Sequence, residues 1–265
     1  MGRFRLTLRR ALPALHAALL PPRCLLCGGA GQSRLPSLAW AGPLEICPAC
    51  QAELPRSPAW AGPVPLTHAG FDRVCCPWSY AWPVDQLVRA LKFNGERSHA
   101  RLLGTLLVLE RHALGPPWPQ LLVPVPLHPL RLRERGFNQA AELARFAARA
   151  SALPLRARAL ERLRPTRPQS GLGAAGRSAN VAGAFRANPR MGLRTSRGTR
   201  VGTRSGTGFG SPGPGLAGLH VALLDDVVTT GSTAAAAAQA LRAAGAAQVE
   251  LWAVARAVRR RPSVA

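Results

Sequence analysis

The sequence predicts an α/β protein, in which a parallel sheet is flanked by helices, with a small metal-binding unit near the N-terminus. Two observations lead to this fold class. An apolar strand at 220–224, a helical pattern at 232–244 and a second apolar strand at 249–255 together form a βαβ unit. Two closely spaced cysteine pairs lie in the first 50 residues, far from that unit in sequence. They indicate a separate small unit.

The metal-binding unit is predicted from two C-x-x-C pairs, Cys24 with Cys27 and Cys47 with Cys50. This spacing is typical of a zinc ribbon, in which each pair sits on a tight turn and four thiolates surround one tetrahedral ion. Two disulfides are the alternative, which a reducing cytoplasm disfavours. We therefore expect a structural zinc site that has all four positions filled by protein.

The chain is expected to divide into an N-terminal region with the zinc ribbon (1–55), a linker (56–74) and a larger domain (75–265). A signal peptide is the alternative for the basic N-terminus, but Pro13 and His16 interrupt its apolar run. No stretch reaches the ~18 apolar residues of a membrane span. We expect a cytoplasmic protein. Cys75 and Cys76 are predicted to be buried thiols, with a second metal site that includes the nearby His68 as the alternative.

The larger domain alternates helical and strand patterns. Apolar residues recur at three- and four-residue spacing in the helices, and short apolar runs mark the strands. In chain order, we predict helices at 84–93 and 97–114, a strand at 120–127, a helix at 138–150, strands at 153–163 and 182–186, and the βαβ unit. A Gly-, Arg-, Ser- and Thr-rich stretch at 188–218 has little apolar content and is predicted to be a disordered insertion.

The net charge and the absence of certain motifs limit the classes of function that the sequence allows. The formal net charge is +23, nearly all of it from arginine, since Lys92 is the only lysine. This charge fits phosphate-bearing partners, and it also fits a merely solvated basic surface. The G-x-G-x-x-G match at 171–176 follows no strand and precedes no apolar helix, which argues against a dinucleotide site. No G-x-x-x-x-G-K-[ST] loop is present, which excludes a P-loop ATPase.

The stretch LLDDVVTTGST (223–233) is the strongest functional signal. Ligands of parallel sheets bind at the carboxyl ends of strands, where Asp225 and Asp226 are expected. The hydroxyl-rich turn that follows opens a helix, whose unpaired N–H groups can hold a phosphate. A phosphate site beside two acids fits a sugar with a phosphoryl group at one end and vicinal hydroxyls at the other. Ribose 5-phosphate has this form.

This stretch resembles the 5-phosphoribosyl-1-pyrophosphate (PRPP) motif of type I phosphoribosyltransferases, and the whole chain resembles the ComF family (ComFC/GntX-like proteins). Members of that family join an N-terminal zinc ribbon to a phosphoribosyltransferase domain. The resemblance rests on five further segments. They are ALKFNGE (90–96), VPVPLHPLRLRERGFNQ (123–139), RPQS (167–170), GAF (183–185) and VELWAVAR (249–256). The implied fold is a type I phosphoribosyltransferase-like sheet with a zinc ribbon.

The resemblance also implies a PRPP site with Mg²⁺. Asp225 and Asp226 are expected to bind the ribose hydroxyls and to act as the catalytic residues. The turn is expected to hold the 5-phosphate, and arginines to meet the pyrophosphate, with a flexible segment at 164–180 covering the site. The implied ligand-binding set is Asp225, Asp226, Val227, Thr229, Thr230, Gly231, Ser232, Thr233, Arg131, Arg135, Gln169 and Arg177.

Two functions follow from the resemblance. The first is a phosphoribosyltransferase (a pentosyltransferase) with an acceptor that the sequence does not identify, linked to natural competence and DNA uptake or utilisation. The alternative is a non-catalytic protein of the transformation machinery, either an adaptor or a binder of single-stranded DNA. Its partners would include competence proteins such as a helicase and a DNA-processing protein. A basic surface suits contacts with a DNA backbone.

Overall fold

A computed structural model describes residues 22–32, 43–58, 70–94, 96–164, 183–188 and 215–257. These residues form one parallel sheet with helices on both faces, and a two-stranded antiparallel sheet beside it. The elements in chain order are α1 (Pro48–Ala52), β1 (Arg73–Cys75), β2 (Trp78–Ser79), α2 (Val84–Asn94), α3 (Arg97–Ala113), β3 (Leu121–Pro124), α4 (Pro129–Arg135), α5 (Gln139–Ser151), β4 (Leu160–Arg162), β5 (Phe185–Ala187), β6 (His220–Val228), α6 (Ser232–Ala243) and β7 (Gln248–Arg256).

The main sheet has the strand order β1-β7-β6-β3, and β2 also pairs with β7. All of these pairings are parallel. The two central strands are buried along almost their whole length, as expected when helices cover both faces of a sheet. The predicted fold class is therefore confirmed: the parallel sheet is flanked by helices, and a cysteine unit precedes it.

Alternating residues of the strands define two cores. Leu122, Leu224 and Trp252 face α2, α3 and α5, whereas Leu223 and Leu251 face α6 and the β4–β5 pair. None of the described helices combines the length and apolarity that a membrane crossing requires.

Helices α3 and α5 approach each other closely because Gly104 has no side chain. A Cβ atom at this position would lie 2.7 Å from the carbonyl oxygen of Leu143 in α5, closer than real Cβ atoms come to backbone. This glycine therefore serves the packing of the helix layer.

Strand β6 is longer than predicted. The sequence placed its end at Leu224, but it continues to Val228, whose pairing partner is Arg256 of β7. Asp225 and Asp226 are therefore strand residues and do not follow the strand, which corrects the sequence-based boundary. The neighbouring β3 ends earlier, with Pro124 beside Leu224. The two acids thus lie at the level where β3 has ended and β7 still pairs.

The cysteine unit packs against the same core as α2 and α3. Leu44, Ile46 and Leu54 are buried in that cluster. Glu45 forms an ion pair with Arg101 of α3. Strand β1 begins inside the span that the sequence assigned to a linker; its three residues are too few to show a period, and their pairing with β7 defines them as a strand. The proposed domain division stays a prediction.

Cys75 and Cys76 are both buried, and they belong to opposite cores. Burial raises the pKa of the Cys76 thiol to about 12. Both therefore behave as apolar core residues. His68, which the alternative second metal site invoked, lies outside the described residues.

Candidate functional site

A pocket of about 110 Å³ lies at the carboxyl end of β6. It is bounded by the end of the strand, the turn that follows and the first turn of α6. Its lining comprises Asp225, Val227, Val228, Thr229, Gly231, Ser232, Thr233 and Ala234. Six of these residues belong to the ligand-binding set that the sequence predicted, and the structure brings them around one volume.

The turn after β6 owes its form to Gly231, which precedes α6 in the left-handed conformation (φ 78°). Only glycine adopts this conformation without strain. The turn is tightened by a hydrogen bond of 2.9 Å between the hydroxyls of Thr230 and Ser232. The first N–H groups of α6 have no partner within the helix, and they carry its positive partial charge. An anion is the ligand that such a helix start favours.

Asp225 is the carboxylate that lines this pocket. Its Oδ1 accepts a hydrogen bond of 2.9 Å from the backbone N–H of Asp226. Burial and, secondly, the negative charge of Asp226 raise the pKa of Asp225 well above its usual range. This carboxyl group therefore holds a proton at pH values where an exposed aspartate has lost it.

Asp226 is buried and forms an ion pair with Lys92 of α2, with 2.8 Å between Nζ and Oδ2. Burial acts to raise the pKa of Asp226, but the charge and hydrogen bond of Lys92 outweigh it and lower the pKa. The two neighbouring acids therefore differ: Asp226 is ionised and already paired, whereas Asp225 faces the pocket.

Lys92 was missed as a site residue by sequence reasoning, although its segment ALKFNGE carried part of the family resemblance. Its ammonium group also lies 6.0 Å from the centre of the Tyr80 ring. The signal that could have identified it is composition, because it is the only lysine in a chain with 35 basic residues.

Arg162 of β4 is a second residue that the sequence did not identify. Burial lowers the pKa of its guanidinium, while the charge of Asp225 raises it and that of Arg131 lowers it. Both groups therefore act on Arg162 electrostatically. Arg162 also stacks on the ring of Phe185, with 5.4 Å between the guanidinium carbon and the ring centre.

The two predicted arginines lie in α4, which follows β3. Arg131 is exposed, and its guanidinium Nη1 lies 3.7 Å from the carboxylate Oε2 of Glu134. Arg135 is half-buried. The helix is capped by His128, whose Nδ1 accepts a hydrogen bond from the N–H of Leu130. The other two predicted residues, Gln169 and Arg177, lie outside the described residues.

The four predicted cysteines converge in the N-terminal unit, where their sulfur atoms lie within 4.8 Å of one another. In the described part of the chain, this is the one group of three or more potential metal ligands. Cys27 and Cys47 have sulfur atoms 3.8 Å apart. Tetrahedral zinc with bonds of about 2.3 Å sets its ligands ~3.8 Å apart. The cluster therefore fits a metal ion such as zinc.

Backbone N–H groups donate hydrogen bonds to sulfur atoms of the cluster. Cys47 caps α1, and its sulfur accepts a hydrogen bond from the N–H of Cys50. Burial acts to raise the pKa of Cys24, but backbone N–H donors from Cys27 and Cys47 outweigh it and lower the pKa to about 6. The thiolate is the form that binds metal.

The fold and these two sites define a class: an α/β protein with a parallel sheet, a strand-end pocket and an N-terminal four-cysteine cluster. No protein-family model matches the chain. It is 30% identical over 242 residues to the DNA utilization protein YhgH of Salmonella typhi, covering 88% of this chain and 89% of that protein. It is 31% identical over 215 residues to the protein of the same name from Escherichia coli K12, and the match covers 80% of this chain and 84% of that protein. Competence protein F of Haemophilus influenzae is 29% identical over 217 residues, and the match covers 80% of this chain and 84% of that protein. The chain belongs to the ComF family, as its motifs predicted.

Two solved structures match part of the chain with a TM-score of 0.33. One is the glutamine PRPP amidotransferase of B. subtilis, at 18% identity over 57% of this chain. The other is described as the allosteric regulatory enzyme of purine biosynthesis, at 19% identity over 58% of this chain. The present chain spans 25% of the length of each.

Proposed function

We propose that the pocket after β6 binds PRPP or a related ribose 5-phosphate. The 5-phosphate lies against the N–H groups and hydroxyls of the turn from Thr229 to Thr233. The sugar hydroxyls lie toward Asp225. The observation that carries this proposal is that one carboxyl group and one helix start line the same small volume. A phosphate suits the helix start, and a hydroxyl suits the carboxyl group.

The acids have separate roles in this proposal. Asp225 contacts the ligand, whereas Asp226 and Lys92 hold the strand end in place through their ion pair. Because Lys92 occupies Asp226, Asp225 is the acid that could reach a ligand-bound cation, and that cation would displace the proton that the raised pKa of Asp225 retains in the unliganded protein. Mg²⁺ commonly binds one or two carboxylates together with substrate phosphates. A magnesium ion would therefore arrive with the pyrophosphate and contact Asp225.

The chemistry we propose is pentosyl transfer, in which an acceptor forms a bond to C1 of the ribose and pyrophosphate leaves with the electron pair of the broken bond. The role of the protein would be electrostatic: cationic groups stabilise the charge that develops on the leaving group. Arg162 interacts electrostatically with both Asp225 and Arg131, and we assign Arg131 and Arg135 of α4 to the leaving group. We also assign Gln169 and Arg177 to the ligand side.

A link to DNA uptake or use is proposed from the names of the relatives, DNA utilization protein and competence protein. Binding of single-stranded DNA is the second candidate function. It is favoured by α4, which has no buried residue and exposes Arg131 and Arg133. Competence proteins such as a helicase or a DNA-processing protein would be partners. We place the protein in the cytoplasm, where thiols stay reduced and available to a metal.

Calorimetric titration with PRPP, with and without Mg²⁺, tests the proposed ligand. We expect binding by the unchanged protein in the presence of Mg²⁺ and an affinity at least about tenfold lower in Asp225→Asn, since an ionised carboxyl group makes charged contacts that contribute about 1.5–3 kcal/mol and an amide does not. Asp85→Asn makes the same chemical change in α2, outside the pocket, and should bind normally. Equal affinity of all three proteins, or no binding by any, would refute the proposal.

A further inference from the structure

A second and larger pocket, of about 320 Å³, lies at the opposite edge of the sheet. Trp118 lies shortly before Leu121, the first residue of β3, and therefore at the edge of the sheet where the strands begin. His112 belongs to the last turn of α3, and Arg149 to the last turn of α5. The strand-end pocket is at the carboxyl-terminal edge, so the two pockets share no lining residue.

The lining of this pocket combines an aromatic surface with an apolar floor. Trp118 contributes its indole ring, and Val108 and Ala150 contribute buried aliphatic surface. The indole is held in place on its protein side: it lies edge-on to Trp252, with ring centres 6.5 Å apart, and the guanidinium of Arg111 lies 4.8 Å from its centre. A ring fixed in this way is a platform for a flat ligand, because it loses little freedom on binding.

The charge of the pocket is positive. Arg149 is exposed and pairs with no carboxylate among the described residues; its described contact is with the ring of Phe146, at 5.3 Å. His112 adds an imidazole beside Trp118, with ring centres 5.5 Å apart. No acidic residue lines the pocket. Arg149 also offers a fork of N–H donors, which matches the oxygens of a phosphate.

The alternative explanation for Arg149 and His112 is that basic side chains are favoured in the last turn of a helix, which carries negative partial charge. That explanation accounts for the presence of Arg149 and His112. It does not account for an open volume of this size between them, nor for a fixed tryptophan at its wall. Ligand pockets typically combine such an apolar and aromatic lining with a few polar groups.

We propose that this pocket binds a nucleotide, either free or as part of a DNA strand. The base stacks against Trp118 above the apolar floor, and the phosphate is bound by Arg149, with His112 at the side. The two halves of the lining match the two halves of this ligand class: a flat ring and an anion. The proposal goes beyond the pentose phosphate pocket and does not depend on it.

Calorimetric titration with deoxyadenosine monophosphate tests the assignment. Excess PRPP is present throughout, so that the strand-end pocket, if it binds PRPP, is not free to bind the nucleotide. We expect binding by the unchanged protein and about tenfold weaker binding by Arg149→Gln, because a charged phosphate contact is lost. Deoxyadenosine, which lacks the phosphate, should also bind more weakly. Arg145→Gln removes the same charge one turn away on α5, outside the pocket, and should bind like the unchanged protein.

Trp118→Leu should abolish binding through loss of the stacking surface, provided that its thermal unfolding shows an intact fold, since Trp118 also contacts Arg111. Failure of the unchanged protein to bind the nucleotide would overturn the proposal, as would equal affinities of Arg149→Gln and Arg145→Gln. Arg149→Gln should leave PRPP titration unchanged, so a failed PRPP experiment and a failed nucleotide experiment have separate readouts. A short single-stranded oligonucleotide that displaces the mononucleotide identifies DNA as the source, and one that does not identifies the free nucleotide.

Discussion

The four-cysteine cluster and the strand-end pocket are both built from tight turns with polar side chains, yet they differ in where those side chains point. The cysteine sulfur atoms face one another, within 4.8 Å. Asp225, Thr229 and the residues from Gly231 to Ala234 line a volume of about 110 Å³. Four protein ligands complete the coordination of a zinc ion, whereas the pocket leaves its polar groups available to a second molecule.

Because of this difference, we expect the cysteine cluster to contribute to the stability of the fold and the pocket to contribute to ligand binding. A closed metal site contributes its binding energy to folding, since the ligands are not assembled in the unfolded chain. An open pocket contributes little to folding, because its polar groups are not joined to one another through a bound ion. Changes in the cluster should therefore affect the whole fold, and changes in the pocket should affect mainly what binds.

The largest effect is expected from Cys47→Ser, which removes one of the four metal ligands and the cap of α1. The buried residues Leu44 and Ile46 of the same unit contribute to the core beside α3. We expect loss of bound zinc and a fall in the free energy of unfolding of more than about 4 kcal/mol. Metal analysis and chemical denaturation measure the two effects.

Cys76→Ala is the control, because Cys76 is another free cysteine, which is buried and lies outside the cluster. It should keep the full metal content and lose only the packing of one sulfur atom. If both variants retain metal equally, the cluster is not the metal site.

The next effect concerns the ion pair that joins α2 to β6. In Lys92→Met, the carboxylate of Asp226 stays buried without its partner. We expect a loss of about 3 kcal/mol, the lower end for breaking a buried pair, because the Lys92 side chain is 22% exposed. Adding Asp226→Asn to this variant should recover most of the loss, since the unpaired charge is then absent.

Arg89→Met provides the control for this pair. Arg89 lies in the same helix and pairs with Asp85, one turn before it, and the Arg89 side chain is 61% exposed. Its loss should lower stability by less than about 0.5 kcal/mol. A loss of equal size in both variants would mean that the Lys92 pair is no more than a surface contact.

Local sequence signals predicted much of this arrangement. The C-x-x-C pairs and the strand–turn–helix of β6 and α6 are contiguous in sequence, so spacing alone indicates which groups meet. The same holds for the turn around Gly231, where one glycine among hydroxyl residues indicated a tight turn before a helix.

Contacts between distant segments were not predictable in this way. Lys92 meets Asp226 only because α2 packs beside β6, and Arg162 is near Asp225 only because the β4–β5 pair packs beside α6. The extension of β6 to Val228 also depends on its pairing with β7. In each case, the deciding interaction is between residues far apart in the chain, and no local period records it.

The smallest effect is a gain in stability, and it is expected at Asp225. Burial and the charge of Asp226 raise the pKa of Asp225, so the folded protein resists its ionisation. The unfolded chain releases this proton near the ordinary pKa of 3.8. As the pH rises above that value, ionisation therefore favours the unfolded state, until the folded pKa is passed. Asp225→Asn removes this penalty and keeps the oxygen that accepts the hydrogen bond from Asp226.

The stability difference between Asp225→Asn and the unchanged protein should be near zero below pH 3.8, grow as the pH rises, and level off above the folded pKa. Its size should be on the order of 1 kcal/mol, since each pKa unit corresponds to about 1.4 kcal/mol. Denaturation curves across this pH range measure it. Asp226 acts in the opposite sense: its lowered pKa gives stability that is present above 3.8 and lost at more acidic pH. A variant that is less stable than the unchanged protein at neutral pH would show that Asp225 supports the fold, and the separation between the closed cluster and the open pocket would then fail at this residue.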